Sequence, residues 1–173
     1  MRRVTAALSA LAVVLATSVL FAQAKPNFAG TWTREAPAGA PAGAPGGGGG
    51  GGGRGGGFGG GGGWGMEPTI TQTATALTVK YMGGGQTPTE MTLTYKLDGS
   101  DSTNKVMGRG GEATDQVSKA SWSGDKLVIK TTLANGERTQ TVSLVGGKLT
   151  IESVQPGRDG GPGTPMTTTY TKK

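Results

Sequence analysis

The reactive side chains of this 173-residue chain are carboxylates, hydroxyls, lysines and arginines, because histidine and cysteine are both absent. That excludes a thiolate zinc site, a disulfide framework, a cysteine nucleophile, a histidine general base and any triad built on one. The acids of residues 66–173 are Glu67, Glu90, Asp98, Asp101, Glu112, Asp115, Asp125, Glu137, Glu152 and Asp159. They fall mostly in turns or at strand ends, and none is spaced to work with another as an acid–base pair, so solvated surface and turn capping account for them. Asp98, Ser100 and Asp101 offer oxygens to a weak Ca²⁺. Asp-Gly-Ser-Asp lacks the rest of a calcium loop, however, and reads as a turn. No enzyme, metal centre or cofactor is expected.

The elements that would have to position a site begin after residue 24. Residues 1–24, MRRVTAALSALAVVLATSVLFAQA, have a basic start, an apolar run from Ala6 to Phe21 and a small-x-small end at Ala22-Gln23-Ala24. That is the three-part pattern of a secretory signal peptide, too short and too rich in alanine for a spanning helix. The chain is therefore expected to be exported, to the periplasm or beyond, with no transmembrane segment after cleavage. Without cysteine, its stability has to come from its core alone. Nothing in the sequence specifies an oligomeric state.

Glycine makes up 35 of the 173 residues, but 17 of them lie within residues 46–65. Together with the Ala-Pro repeats before it, the segment 36–65 reads as a disordered insertion that cannot bury enough apolar surface to offset its ordering entropy. Arg54, Phe58 and Trp64 are the residue types that stack on single-stranded nucleic acid. One arginine and a net charge of +4 after leader removal are too little for that, so no nucleic-acid partner is expected. No Gly-Lys-Ser/Thr follows the tract, which excludes a phosphate loop.

Residues 66–173 alternate. Leu77, Val79 and Tyr81 share one face, as do Met91, Leu93, Tyr95 and Leu97, with Thr92, Thr94 and Lys96 opposite. The 21 threonines in this stretch suit pleated strands. Asn135-Gly136 and Gly146-Gly147 are hairpin turn signals, and Asp98-Gly99 and Ser123-Gly124-Asp125 are further turns. The reading is an antiparallel meander over 30–35, 68–74, 76–82, 90–97, 104–107, 114–122, 126–133, 138–145, 148–154 and 166–172. It is all-β, and closing it into an up-and-down barrel removes its edges. A two-sheet sandwich of the same strands is the alternative. Residues 25–35 supply the first strand and 66–173 the rest.

Phe28-Ala29-Gly30-Thr31-Trp32, then Pro68 to Gln72 and Leu77 to Lys80, Trp122 to Leu127, Gly147 to Thr150 and Thr169 to Lys172 occur here in order. In that order they resemble the segments of fatty-acid-binding proteins, and Gly30-x-Trp32 also fits the lipocalin opening. The resemblance implies a calycin-like barrel with Gly30 and Trp32 at its closed end and a small apolar or amphipathic molecule inside. The family clamps a ligand carboxylate with Arg-x-Tyr on the last strand, where this chain has Thr168-Thr169-Tyr170. Tyr170 keeps the hydroxyl, and Arg138 lies on a strand that contributes a second arginine in the family. The helical lid of that family has the glycine tract in its place here.

The inward strand positions of such a barrel, Val79, Tyr81, Leu93, Tyr95, Ile129, Leu144 and Tyr170, with Arg138, are the candidate ligand-binding residues. The same positions also suit plain core packing. The alternative is a solid barrel that acts as a structural or interaction protein, with the glycine tract as its tether. An interior cavity of at least about 300 Å³ is what separates a binding module from that alternative.

Overall fold

The computed structural model describes residues 25–36, 62–83, 88–107, 112–157, 161 and 163–173. The leader, and most of the glycine insertion with Arg54 and Phe58, lie outside them. Ten strands follow one another: β1 (Gly30–Arg34), β2 (Thr69–Gln72), β3 (Ala76–Gly83), β4 (Thr89–Lys96), β5 (Asp98–Met107), β6 (Ala113–Ser123), β7 (Lys126–Leu133), β8 (Gly136–Val145), β9 (Lys148–Val154) and β10 (Met166–Lys172). All neighbours are antiparallel, in the order β4-β3-β2-β1-β10-β9-β8-β7-β6-β5. This is the expected all-β antiparallel meander, closed into a barrel except at one seam. No helix among the described residues is long and apolar enough to cross a membrane.

Alternation sets the wall. Along β4 the residues Met91, Leu93 and Tyr95 are buried while Thr92, Thr94 and Lys96 are exposed. The β3–β4 register sets Leu77 opposite Tyr95, Val79 opposite Leu93 and Tyr81 opposite Met91, so apolar side chains meet in pairs on the inner face. The turns hold this register. Gly146 and Gly147 both have positive φ (57° and 78°) between the paired Val145 and Lys148, the conformation a tight two-residue hairpin requires.

Two local readings differ from the structure. The β7–β8 turn is Ala134–Asn135, because Gly136 already pairs with Leu133, one residue earlier than Asn135-Gly136 suggested. Asp98-Gly99 lies at the reversal from β4 to β5, as read, but it also forms a bulge against β6, and β5 begins at Asp98 rather than 104. The Asp98 carboxylate accepts hydrogen bonds from the Ser100 amide (2.9 Å) and hydroxyl (2.7 Å). These stand in for the ladder bonds a bulge forfeits, and they hold the carboxyl below its ordinary range.

The seam lies between β4 and β5, which share no backbone ladder. Side chains bridge it instead. The Thr94 amide donates to Asn104 Oδ1 (2.7 Å), Asn104 Nδ2 donates back to the Thr94 carbonyl (3.1 Å), and the Lys96 amide donates to Ser102 Oγ (2.8 Å). Within the order, β1 joins β2 through Gly30–Ile70 and Thr31–Thr69, and β10 through Trp32–Lys172 to Arg34–Tyr170.

The interior is graded. At the end holding the β6–β7 and β8–β9 turns it is apolar: Leu127, Val142, Leu149 and Ile151 are fully buried. Trp32 lies there as a plug, its Nε1 donating to the Phe28 carbonyl (2.9 Å), and Phe28 stacks on Trp122 at 5.7 Å. A Cβ on Gly30 would come within 2.7 Å of the Lys172 side chain, so the Gly-x-Trp pair suits this end cap. Moving along β7 and β8 the inward pairs become Ile129–Gln140 and then Thr131–Arg138. The opposite end of the barrel is therefore polar inside.

Candidate binding cavity

The polar end contains a cavity of about 180 Å³, lined by Gly63, Trp64, Tyr81, Leu93, Tyr95, Val106, Gln116, Leu133, Arg138, Gln140 and Gln155. Of the positions singled out from sequence, Tyr81, Leu93, Tyr95 and Arg138 line it. Val79 and Ile129 are fully buried in the apolar core instead, and Leu144 packs against that core, half-buried. Gly30 and Trp32 belong to the closed end.

Tyr170 is buried beside the cavity, engaged with another part of the chain. The Trp64 amide donates to the Tyr170 hydroxyl (2.7 Å), which in turn donates to the Gly65 carbonyl (3.2 Å). Gln140 Nε2 donates to the Gly62 carbonyl (2.6 Å). Three peptide groups of residues 62–65 are thus held by two side chains of the barrel interior, and the Trp64 indole between them is 2% exposed. The last residues of the 36–65 segment therefore belong to the barrel, not to a disordered insertion. Glycine permits the approach. Gly62 and Gly65 have φ of +77° and +69°, and a Cβ on Gly62 would collide with Ser153 and one on Gly63 with the Tyr170 hydroxyl. Composition hid this. The signal available was a tryptophan flanked by glycine immediately before the second strand, a large apolar side chain on a backbone that can approach closely.

Arg138 is the charged group of the cavity. Its guanidinium donates from Nη2 to Gln116 Oε1 at 3.5 Å, and it takes part in none of the ion pairs found among the described residues. Its Nε is buried with no hydrogen-bond partner among them. Its positive charge reaches Tyr81 and Tyr95, favouring their phenolates, but burial outweighs it and raises both hydroxyls above the ordinary tyrosine pKa. Both are therefore neutral donors at physiological pH. Burial likewise pushes Tyr170 up to about 12.

Four buried side-chain atoms lack a hydrogen-bond partner among the described residues: Trp64 Nε1, Arg138 Nε, Gln140 Oε1 and Ser153 Oγ. Three of them belong to side chains that line the cavity. The bond from Gln140 Nε2 to Gly62 fixes that amide's orientation and leaves Oε1 as an acceptor. Trp64 Nε1 lies close enough to the Tyr95 hydroxyl to favour its phenolate, so the cavity offers one unused N–H donor, Arg138 Nε, and one unused acceptor, Gln140 Oε1, beside Tyr81, Leu93, Tyr95 and Val106. No three acidic side chains cluster among the described residues in a way that could hold a metal.

No family model and no curated protein matches the chain. Among solved structures it is similar to the wild-type fluorescent protein UnaG, with 19% identity over 62% of this chain and 72% of that one at a TM-score of 0.47. A point mutant of UnaG gives 20% identity, 62% and 70% coverage and a TM-score of 0.48. The zebrafish ileal bile acid-binding protein in complex with cholic acid gives 21%, 62%, 72% and 0.44. The similarity is one of chain path alone.

Proposed function

We propose that this barrel binds a small amphipathic anion, with Arg138 as the anchor for its acidic group. The supporting observation is the Arg138 guanidinium, always charged, lining the cavity with a buried, unpartnered Nε and, among the described residues, no carboxylate paired to it. An uncompensated interior charge costs several kcal/mol, which an anionic ligand would offset. Leu93, Val106 and Leu133 supply the apolar walls. Size limits the ligand. A dry cavity of about 150 Å³ holds a benzene ring, so one of about 180 Å³ takes one ring with its acid group. Export is part of the proposal and rests on the leader pattern of residues 1–24. N-terminal sequencing of protein from its host should start at Lys25.

Calorimetric titration with benzoate and its neutral analogue benzamide tests the reading. A charge-assisted hydrogen bond contributes roughly 1.5–3 kcal/mol, so benzoate should bind at least tenfold more tightly. Arg138→Gln should erase the difference. Discrimination that survives in Arg138→Gln would remove Arg138 from the site.

The volume favours a second reading. It falls below the roughly 300 Å³ at which drug-sized pockets begin, and a barrel completed by Trp64 is a solid structural or interaction module. A protein that binds no anion of any size is that module.

A further inference from the structure

We infer that Trp64 is the size-determining element of this site, an occupant supplied by the chain itself that restricts the barrel to one-ring ligands. The inference rests on the binding reading above and goes beyond it by assigning the selectivity to one side chain. Trp64 enters the interior from outside the strand wall, ahead of β2. Its backbone is held much as a ligand would be, its own amide and the Gly65 carbonyl on the Tyr170 hydroxyl and the Gly62 carbonyl on Gln140. Its indole lines the cavity beside Tyr95, whose hydroxyl its Nε1–H faces, so it forms part of the wall. The glycines at 62, 63 and 65 make the insertion possible, since side chains at 62 and 63 would collide with Ser153 and Tyr170.

Removing the indole should change the class of ligand. An indole fills at least the space a benzene ring does, and a benzene ring fits a cavity of about 150 Å³. Truncating Trp64 would add that space to the present cavity of about 180 Å³, bringing it to the roughly 300 Å³ range that takes a larger ligand. The probes are benzoate and biphenyl-4-carboxylate, which carry the same acid on one ring or two, titrated calorimetrically into wild type, Trp64→Ala and Gly63→Ala. Gly63→Ala evicts the segment while keeping the indole, and it serves if Trp64→Ala fails to unfold cooperatively.

Wild type should prefer benzoate at least tenfold, and either variant should bind the biphenyl acid at least tenfold more tightly than wild type does. Equal binding of both acids by wild type, or no gain in either variant, overturns the inference while leaving the binding reading intact. Wild type that binds neither acid while a variant takes the larger one ends the one-ring reading and supports Trp64 as occupant. No binding by any form overturns both.

Discussion

The hydroxyl of Tyr170 carries a prediction in which stability and pH response must agree. Tyr170→Phe removes one oxygen, the acceptor for the buried Trp64 amide at 2.7 Å and the donor to the Gly65 carbonyl at 3.2 Å. Phenylalanine fills the same space, so no cavity opens. A buried amide left unsatisfied costs about 1–3 kcal/mol, and the partly exposed carbonyl about 1 more. The loss should be about 2–4 kcal/mol, a drop in Tm on the order of 10 °C for a domain of this size.

Alkaline pH supplies the second arm. Below pH 10 both folded and unfolded chains keep the phenolic proton, and nothing changes. Between 10 and about 12 the unfolded chain releases it and the folded one does not, so stability falls through that window. A shift of about two units corresponds to roughly 3 kcal/mol. Urea denaturation followed by tryptophan emission should show a wide gap between wild type and Tyr170→Phe at pH 9 that narrows toward pH 12. Tyr81 and Tyr95, raised by burial as well, keep their own decline in both proteins. A gap below about 0.5 kcal/mol at pH 9, or one that stays constant to pH 12, would refute the idea that this hydroxyl holds the Trp64 segment.

The remaining predictions concern the anchor and the seam. Arg138→Met should weaken benzoate binding about 10- to 100-fold without lowering the denaturation midpoint, because it removes an interior charge that has no carboxylate partner among the described residues; titration and urea melts check both halves. Asn104→Ala should cost about 2–4 kcal/mol by orphaning the Thr94 amide and carbonyl, and hydrogen exchange at the Thr94 amide should accelerate more than at amides of the β7–β8 ladder.

The wall of the barrel was legible in the sequence because a strand with core on one side and water on the other must alternate. Met91-Thr92-Leu93-Thr94-Tyr95 shows this, and its buried and exposed faces appear in the structure as read. The polar half of the interior was not legible. Gln116, Gln140 and Ser153 occupy inward positions, yet a rule that places apolar residues inside assigns them to solvent. Arg138 was reached through a family resemblance and not through its pattern. Trp64 was lost because the glycines around it dominated the composition of their segment, although those same glycines let the indole in. The turn at Asp98-Gly99 was legible, but the bulge it makes against β6 was not, because Asp-Gly signals chain reversal and strand irregularity equally.

The ladder between β1 and β10 bears on how the molecule assembles. The other ladders join strands consecutive in the sequence, so most of the wall can form from neighbouring hairpins. Pairing Trp32 with Lys172 instead closes a loop of about 140 residues, which costs roughly 3 kcal/mol more in chain entropy than closing a short hairpin. That contact has reason to form last, after the hairpins have lowered the cost. Until it does, the apolar inner face is open along one edge. Damage to β1 or to the end of β10 should then leave the rate of folding almost unchanged and hasten unfolding, so the two ends of the chain govern how long the finished barrel stays shut.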